Sequence, residues 1–242
     1  MNLSVKRKLP LVVHTSATSN FIANTLLFDL DGTLADTAPD LTCALNETLR
    51  HMNYPIVSLA DVKHWIGDGM RMLLQRAISS SGVKVIEPEL LSDGMNLFES
   101  FYNQSIWINS FFYPGIIDGL GRLKSQGFKL GCVTNKQRPC AEALLAQSGL
   151  ADYFGVLVAG GDLAVKKPSP EPLLLAAHRL MSSPPRCVMI GDSKTDIDAA
   201  QAASMHSLFA IWGYHDAPIS IGTDTKFINN LNDIFRVITL GS

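Results

Sequence analysis

The chain has 242 residues, 20 of them basic and 22 acidic, and 47% are apolar. This length suits one large domain, or one domain carrying an insertion, with enough apolar residues for a sizeable core. The near-neutral balance leaves no basic footprint for nucleic acid and no polybasic membrane anchor, and no apolar run is long enough to span a bilayer. The four cysteines, Cys43, Cys132, Cys140 and Cys187, form no C-x-x-C pair. They read as small buried hydrophobes of a reducing compartment, so a cytoplasmic protein is expected.

Residues 1–24 read as an extension outside the fold. Lys6, Arg7 and Lys8 precede Leu9-Pro10-Leu11-Val12-Val13, the charge order of a signal peptide, but the apolar run is too short and a proline breaks it. The first strong element is Leu26-Leu27-Phe28-Asp29-Leu30-Asp31-Gly32-Thr33-Leu34, an apolar run that reads as a buried strand and ends in two carboxylates and a glycine turn. From Pro39 to His51 apolar residues recur at helical spacing. Ser58 and Asp61 are spaced as a capping box opening a short helix toward Trp65. Gly67-Asp68-Gly69 breaks that helix, Met70 to Ile78 starts another, and Pro88 to Trp107 reads as a longer helix disturbed at Gly94. No central strand is expected between Thr37 and Ser110.

After the turn at Tyr113-Pro114-Gly115, strands and helices alternate. The pattern predicts a helix over 116–124, a strand over 128–133 ending at Thr134, and a helix over 139–147. A strand over 156–159, a helix over 169–180 and a strand over 186–190 follow, the last ending in Gly191-Asp192. A helix over 195–203, a strand over 208–211 and a closing helix over 231–238 complete the series. Such alternation implies an α/β core of Rossmann-like layering, a parallel sheet covered on both faces. The helical block after the first strand is expected to be an inserted cap domain. Residues 25–36 and 114–242 would then form the core and 37–113 a small lid whose closure excludes water.

Ligands of open α/β sheets bind beyond the carboxyl ends of the strands. Asp29 and Asp31, two apart on a strand, point the same way and repel unless a cation or a shared proton lies between them. Thr134 and Asn135 follow the second strand, Lys167-Pro168 the third, and Gly191-Asp192-Ser193 the fourth, with Asp196 shortly after. Each has a bland explanation: a turn-capping aspartate, a threonine bonded to its own backbone, a solvated lysine, a serine capping the next helix. Acids, a hydroxyl and a cation gathered in this order along one sheet edge make a site the stronger reading.

Asp29-Leu30-Asp31-Gly32-Thr33, Thr134, Lys167-Pro168 and Gly191-Asp192-Ser193-Lys194-Thr195-Asp196 resemble, in this order, the four motifs of the haloacid dehalogenase-like hydrolase superfamily. The resemblance runs from Thr25 onward. Val133-Thr134-Asn135-Lys136, the stretch from Lys166 to Leu173, and Trp212-Gly213-Tyr214 are most similar to its phosphoglycolate phosphatases. It implies a doubly wound core with a helical cap, and a Mg²⁺-dependent phosphatase working through an aspartyl-phosphate. In that scheme Asp29 is the nucleophile, and Asp29, the Asp31 carbonyl and Asp192 are the Mg²⁺ ligands. Lys167 neutralises Asp29 and the phosphate. Thr134, the Asn135 amide and the turn amides donate to the phosphoryl oxygens, with Gly32 letting the backbone come close. Asp196 and Ser193 stand behind them, Asp196 orienting water or Lys167. Asp31 protonates the leaving alcohol and then takes a proton from water. The superfamily's dehalogenases have no aspartate there, so Asp31 favours phosphoryl transfer.

Substrate choice is expected in the cap, at Gly67-Asp68-Gly69, where phosphoglycolate phosphatases frequently carry Asn and this chain carries Asp68. Arg71 and Arg76 offer compensating charge, although a solvated helix face is the simpler reading of both. The expected partner is a small-molecule phosphate ester, 2-phosphoglycolate first. An amino-sugar 6-phosphate, pyrophosphate, a mutase of the β-phosphoglucomutase kind and a catalytically silent phosphate-binding module are the alternatives. An intact acid–base aspartate argues against the last.

Overall fold

A computed structural model describes residues 20–214 and 225–241. The extension expected over 1–24 therefore lies outside the described residues except at 20–24. There the structure differs from expectation: Phe21–Ala23 is a strand, β1. It is followed by β2 (Thr25–Phe28), whose four residues are all buried. Leu26 and Phe28 enter one core cluster and Leu27 the other, the period of two expected of a strand sandwiched between helix layers.

The turn after β2 leads through β3 (Ala35–Asp36) into four helices, α1 (Ala38–His51), α2 (Leu59–Trp65), α3 (Met70–Ser80) and α4 (Pro88–Ser105). The Ser58–Asp61 capping box at α2 is present as its spacing predicts. Gly94 does not disturb α4. It is buried, and a side chain there would collide with Met52 and Leu74, so the glycine permits close helix packing. The chain returns through β4 (Phe111–Phe112), which pairs antiparallel with β3. Asp40 fastens this return. Its fully buried carboxylate accepts hydrogen bonds from the backbone N–H groups of Ile108, Asn109 and Ser110 at 3.0, 2.8 and 3.0 Å, and from Asn109 Nδ2 and Ser110 Oγ.

Alternation then sets in: α5 (Ile116–Ser125), β5 (Lys129–Gln137), α6 (Arg138–Ser148), β6 (Val156–Gly160), α7 (Glu171–Arg179), β7 (Cys187–Gly191), α8 (Lys194–Ala202), β8 (His206–Ala210) and β9 (Thr225–Ile228). The six-stranded sheet has the order β6-β5-β2-β7-β8-β9 with every pair parallel. The chain winds outward from β2 in one direction and then in the other, so the switch point lies at β2, between β5 and β7. Helices α7 and α8 cover one face; α5 and α6 cover the other, in a core continuous with the buried residues of α1–α4.

The closing helix expected over 231–238 is corrected. A short 3₁₀ turn and α9 (Ile234–Val237) end at β10 (Ile238–Leu240), which pairs in parallel with β1. Ile238-Thr239-Leu240 suits a strand, and its partner lies at the other end of the chain, where no local pattern reveals it. No helix among the described residues is long and apolar enough to cross a membrane.

Candidate active site

Asp29 follows β2 directly, and its N–H donates to Ile190 O of β7 at 2.9 Å, which fixes it at the switch point. The turn beyond it is set by Gly32, at φ 88°, where a side chain would also collide with the Asp192 carboxylate and the Tyr214 ring. Gly32 therefore admits Asp192 as well as giving the turn its shape. Thr134 and Asn135 lie in the last part of β5, Lys167 in the loop before α7, and Asp192 just past β7.

These residues meet. Lys167 is buried, and its ammonium donates to Asp29 Oδ1 at 2.8 Å, Asp196 Oδ1 at 2.7 Å and Val133 O at 2.6 Å. All three donors of the ammonium are thus spent. Burial alone would lower its pKa, but the Asp196 and Asp29 carboxylates outweigh burial and hold it above the ordinary lysine value. Asp192 accepts from Thr33 Oγ1 at 2.9 Å and from Tyr214 N–H at 2.8 Å. Ser193 caps α8 in a reciprocal box with Asp196: its hydroxyl and its N–H both donate to Asp196 Oδ2, at 2.6 and 3.2 Å. The bland reading of Ser193 as a cap and its place behind the site coincide, since the same Asp196 grips Lys167.

Asp29, Asp192 and Asp196 bring carboxylate oxygens within 4.8 Å of one another. Three carboxylates meet one ammonium, Lys167, an excess of two negative charges. Asp29 is pushed up to about 7, mainly by burial, with Lys167 pulling it back and Asp196 and Asp31 adding to the rise. Asp192 is likewise pushed well up by burial, then by Asp196 and Asp29. Both oxygens of Asp196 are spent on Lys167 and Ser193, whereas Asp29 Oδ2 accepts no hydrogen bond among the described residues. A hard divalent cation held chiefly by Asp29 and Asp192 fits this donor set and this charge excess.

Asp31 faces the same small cavity as Asp29, about 30 Å³, which Thr134 also lines. Its Oδ1 accepts from Thr37 Oγ1 at 2.5 Å and from Lys136 Nζ at 3.0 Å. Thr134 Oγ1 accepts the Lys136 N–H at 3.2 Å, which leaves its hydroxyl hydrogen to donate elsewhere. The Asn135 side chain does not face the cavity with a free amide. Its Nδ2 donates to Gly67 O and Lys167 O, both at 3.0 Å, and its Oδ1 accepts Lys167 N–H. It therefore ties the loop between α2 and α3 to the site.

That loop reaches down as its glycines suggest, and Gly67 and Gly69 line the cavity. Asp68 does not: its carboxylate is ion-paired with Arg76 and its carbonyl accepts from Lys166 Nζ. Arg71 is exposed on a neighbouring groove, away from Asp29 and Asp31.

Three contributors lay outside the sequence reading of the site. Lys136 is buried against Asp31, although its position directly after Thr134-Asn135 was the available signal. Thr37 holds the Asp31 carboxylate from the start of α1. Tyr214, besides binding Asp192, accepts from Thr37 and Ala38 N–H at 2.7 and 3.0 Å and donates to Asp36 at 3.1 Å.

The sheet order, the acid pair at its switch point and the lysine between acids define a class, and comparison agrees. A sequence model of the haloacid dehalogenase-like hydrolases matches residues 26–210. The chain belongs to this family and is a hydrolase. It is 41% identical over 192 residues to a phosphoglycolate phosphatase of Colwellia psychrerythraea strain 34H, covering 78% of this chain and 85% of the relative. It is 35% identical over 215 residues to a phosphoglycolate phosphatase of Nitrosococcus oceani, covering 88% and 96%. The crystal structure of a predicted phosphoglycolate phosphatase from Haemophilus somnus 129PT superimposes with a TM-score of 0.81 at 29% identity, covering 89% of this chain and 97% of that one.

Proposed function

We propose that the protein is a cytoplasmic, Mg²⁺-dependent phosphatase that hydrolyses 2-phosphoglycolate to glycolate and phosphate through an aspartyl-phosphate on Asp29. The observation that carries this reading is the pair Asp29 and Asp31 on one small cavity, with Lys167 Nζ 2.8 Å from the first. Bound at Asp29, Asp192 and the Asp31 carbonyl, Mg²⁺ would offset the repulsion between carboxylate and phosphate dianion. The protein's own groups do the rest. Asp29 Oδ2, unspent in hydrogen bonding, attacks phosphorus while the ester P–O bond breaks. Asp31 gives its proton to the departing alkoxide oxygen. A water then attacks the acyl-phosphate, losing its proton to Asp31, and phosphate leaves with Asp29 restored. Thr134 donates its hydroxyl to a phosphoryl oxygen, and Lys167 keeps Asp29 in the ionised form that attacks. Helices α1–α4 act as the cap, with the 67–69 loop covering the reacting groups.

The test is hydrolysis of 2-phosphoglycolate, p-nitrophenyl phosphate and a panel of sugar phosphates, with Mg²⁺ and with chelator. The reading predicts chelator-sensitive turnover, the highest kcat/KM for 2-phosphoglycolate, and loss of turnover in Asp29→Asn. Sugar phosphates ranking above 2-phosphoglycolate would remove the substrate assignment, and no phosphatase activity at all would remove the mechanism.

A further inference from the structure

The cavity shared by Asp29 and Asp31 contains a cation that the chemistry above leaves without a task. Lys136 is 3% exposed, with its ammonium 3.0 and 3.3 Å from the two Asp31 oxygens and 4.5 Å from the centroid of the Tyr102 ring. A carboxylate engages at most two of three ammonium N–H groups here, and an aromatic face is a weaker partner than an anion for the third. The Tyr102 hydroxyl is buried beside the Lys136 ammonium and makes no hydrogen bond of ordinary geometry among the described residues. Apart from Gly67 and Gly69 and the Asn135 side chain already bonded to Gly67 and Lys167, the remaining wall is apolar: Leu41, Ile66, Met70 and Leu73 offer no side-chain donor to the hydroxyls of a sugar. Other candidates for reading a negative charge are committed or distant. Lys167 has spent every donor, Arg76 is tied to Asp68 and to Trp65 O, and Arg71 lies outside the cavity.

We propose that Lys136 is the residue that determines specificity, by pairing with a carboxylate on the alcohol half of the substrate, so that the site selects phosphate esters of small hydroxy acids over neutral or polyol alcohols. The leaving oxygen must sit beside Asp31 to be protonated, and Lys136 is bonded to that same carboxylate. An acid group one carbon from the ester oxygen therefore falls within reach of the ammonium. The apolar side chains lining the cavity offer a heavily hydroxylated alcohol no side-chain hydrogen-bond partner. This inference rests on the phosphatase reading and names the group by which that site would recognise its substrate.

The experiment compares kcat/KM for 2-phosphoglycolate and for ethyl phosphate, which replaces the carboxylate by a methyl group, in the wild type, Lys136→Met and Lys136→Arg. Any effect of Lys136 on Asp31 acts on both esters and cancels in the ratio. The wild type is expected to prefer 2-phosphoglycolate, and Lys136→Met to reduce that preference about 10- to 100-fold, the worth of a charged hydrogen bond in a buried site. Lys136→Arg, which keeps the charge, is expected to retain more of the preference than Lys136→Met. Should Lys136→Met fail to fold by circular dichroism, Lys136→Gln supplies the same ratio. A preference unchanged on removing the charge overturns this inference and leaves the phosphatase reading standing, as does a wild type that hydrolyses both esters equally well. A wild type that hydrolyses neither ester but does hydrolyse sugar phosphates overturns this inference and the substrate assignment alone; one that hydrolyses no phosphate ester of the panel overturns the phosphatase reading as well.

Discussion

Replacing Lys167 by methionine keeps much of the volume and removes one charge, and the structure says what that removal exposes. The ammonium is the shared partner of Asp29 and Asp196 and of Val133 O, and both carboxylates are buried. Stripping one partner from a buried ion pair costs about 3–5 kcal/mol, because the remaining charge has lost its solvent and its counter-ion together. For a chain of this size that is about 6–20 °C in unfolding midpoint. The cost has a direction in pH. Asp29 is pushed up to about 7 even with Lys167 present. A carboxyl whose folded pKa is raised contributes stability that is full below its unfolded pKa and is lost as pH rises through the folded one. Without Lys167 that folded pKa rises further, so the penalty of Lys167→Met is predicted to be larger at pH 8 than at pH 5.5. Urea unfolding followed by circular dichroism, in chelator at both pH values, measures this. A variant within about 1 kcal/mol of wild type at pH 8 would refute the reasoning, and so would a penalty that shrinks with rising pH.

Asp31→Asn should keep the fold and lose about 10²–10⁴ in turnover, since the acid–base proton is gone; steady-state hydrolysis of p-nitrophenyl phosphate checks it, and near-normal turnover would exclude the assigned role. Asp40→Ala removes the buried carboxylate that holds the segment after α4; Ile108 and Asn109 are exposed and their N–H groups can turn to water, so the cost should be about 1–3 kcal/mol of stability in all, read by chemical denaturation. Wild-type protein in chelator should lose thermal stability between about pH 5 and 8 as Asp29 and Asp192, both raised, are forced to ionise. Added Mg²⁺ should restore it most at the upper end, and calorimetric scans that show no such crossover would deny the acids a cation.

How much of this was visible beforehand follows from the range of the interactions. Helices α1–α4 and strands β2, β5, β6, β7 and β8 announce themselves by period and by punctuation, because each buries a face whose spacing is local. The four strand-end motifs were legible for a related reason: parallel strands deliver their carboxyl ends to one edge whatever the order in the sheet. Pairings across the whole chain were not. β1 with β10 joins residues about two hundred positions apart, and β3 with β4 consists of two residues each, too short to show alternation. Side-chain direction was the other blind spot. Asp68 looked like a substrate contact from its place between two glycines, but a neighbouring arginine on α3 turns its carboxylate away. Lys136 stood inside a recognised stretch without a role, and only the packing of Tyr102 from α4 reveals that it is buried against Asp31.

The residues that orient the acids are also the ones that join the helical block to the sheet. Asn135 holds Lys167 through two bonds and spends its remaining donor on Gly67 O, a bond made only while the 67–69 loop lies on the core. Thr37, at the first turn of α1, grips Asp31, and Tyr214 links Asp192 to Asp36 at the point where the chain leaves for that block. Lys63 on α2 reaches back to the same Asp36 at 2.7 Å. Lifting the helices would therefore release Asn135 from Gly67, remove Tyr102 from behind Lys136 and open the apolar wall around Asp31, while Lys167, Asp29 and Asp196, bound only to core residues, would stay assembled. In the proposed mechanism the phosphate end is therefore held by sheet residues alone, and the leaving-group end is lined in part by α1, α3 and the 67–69 loop. A substrate whose alcohol half engaged Lys136 would have a reason to favour this arrangement of the helices that bare phosphate would not.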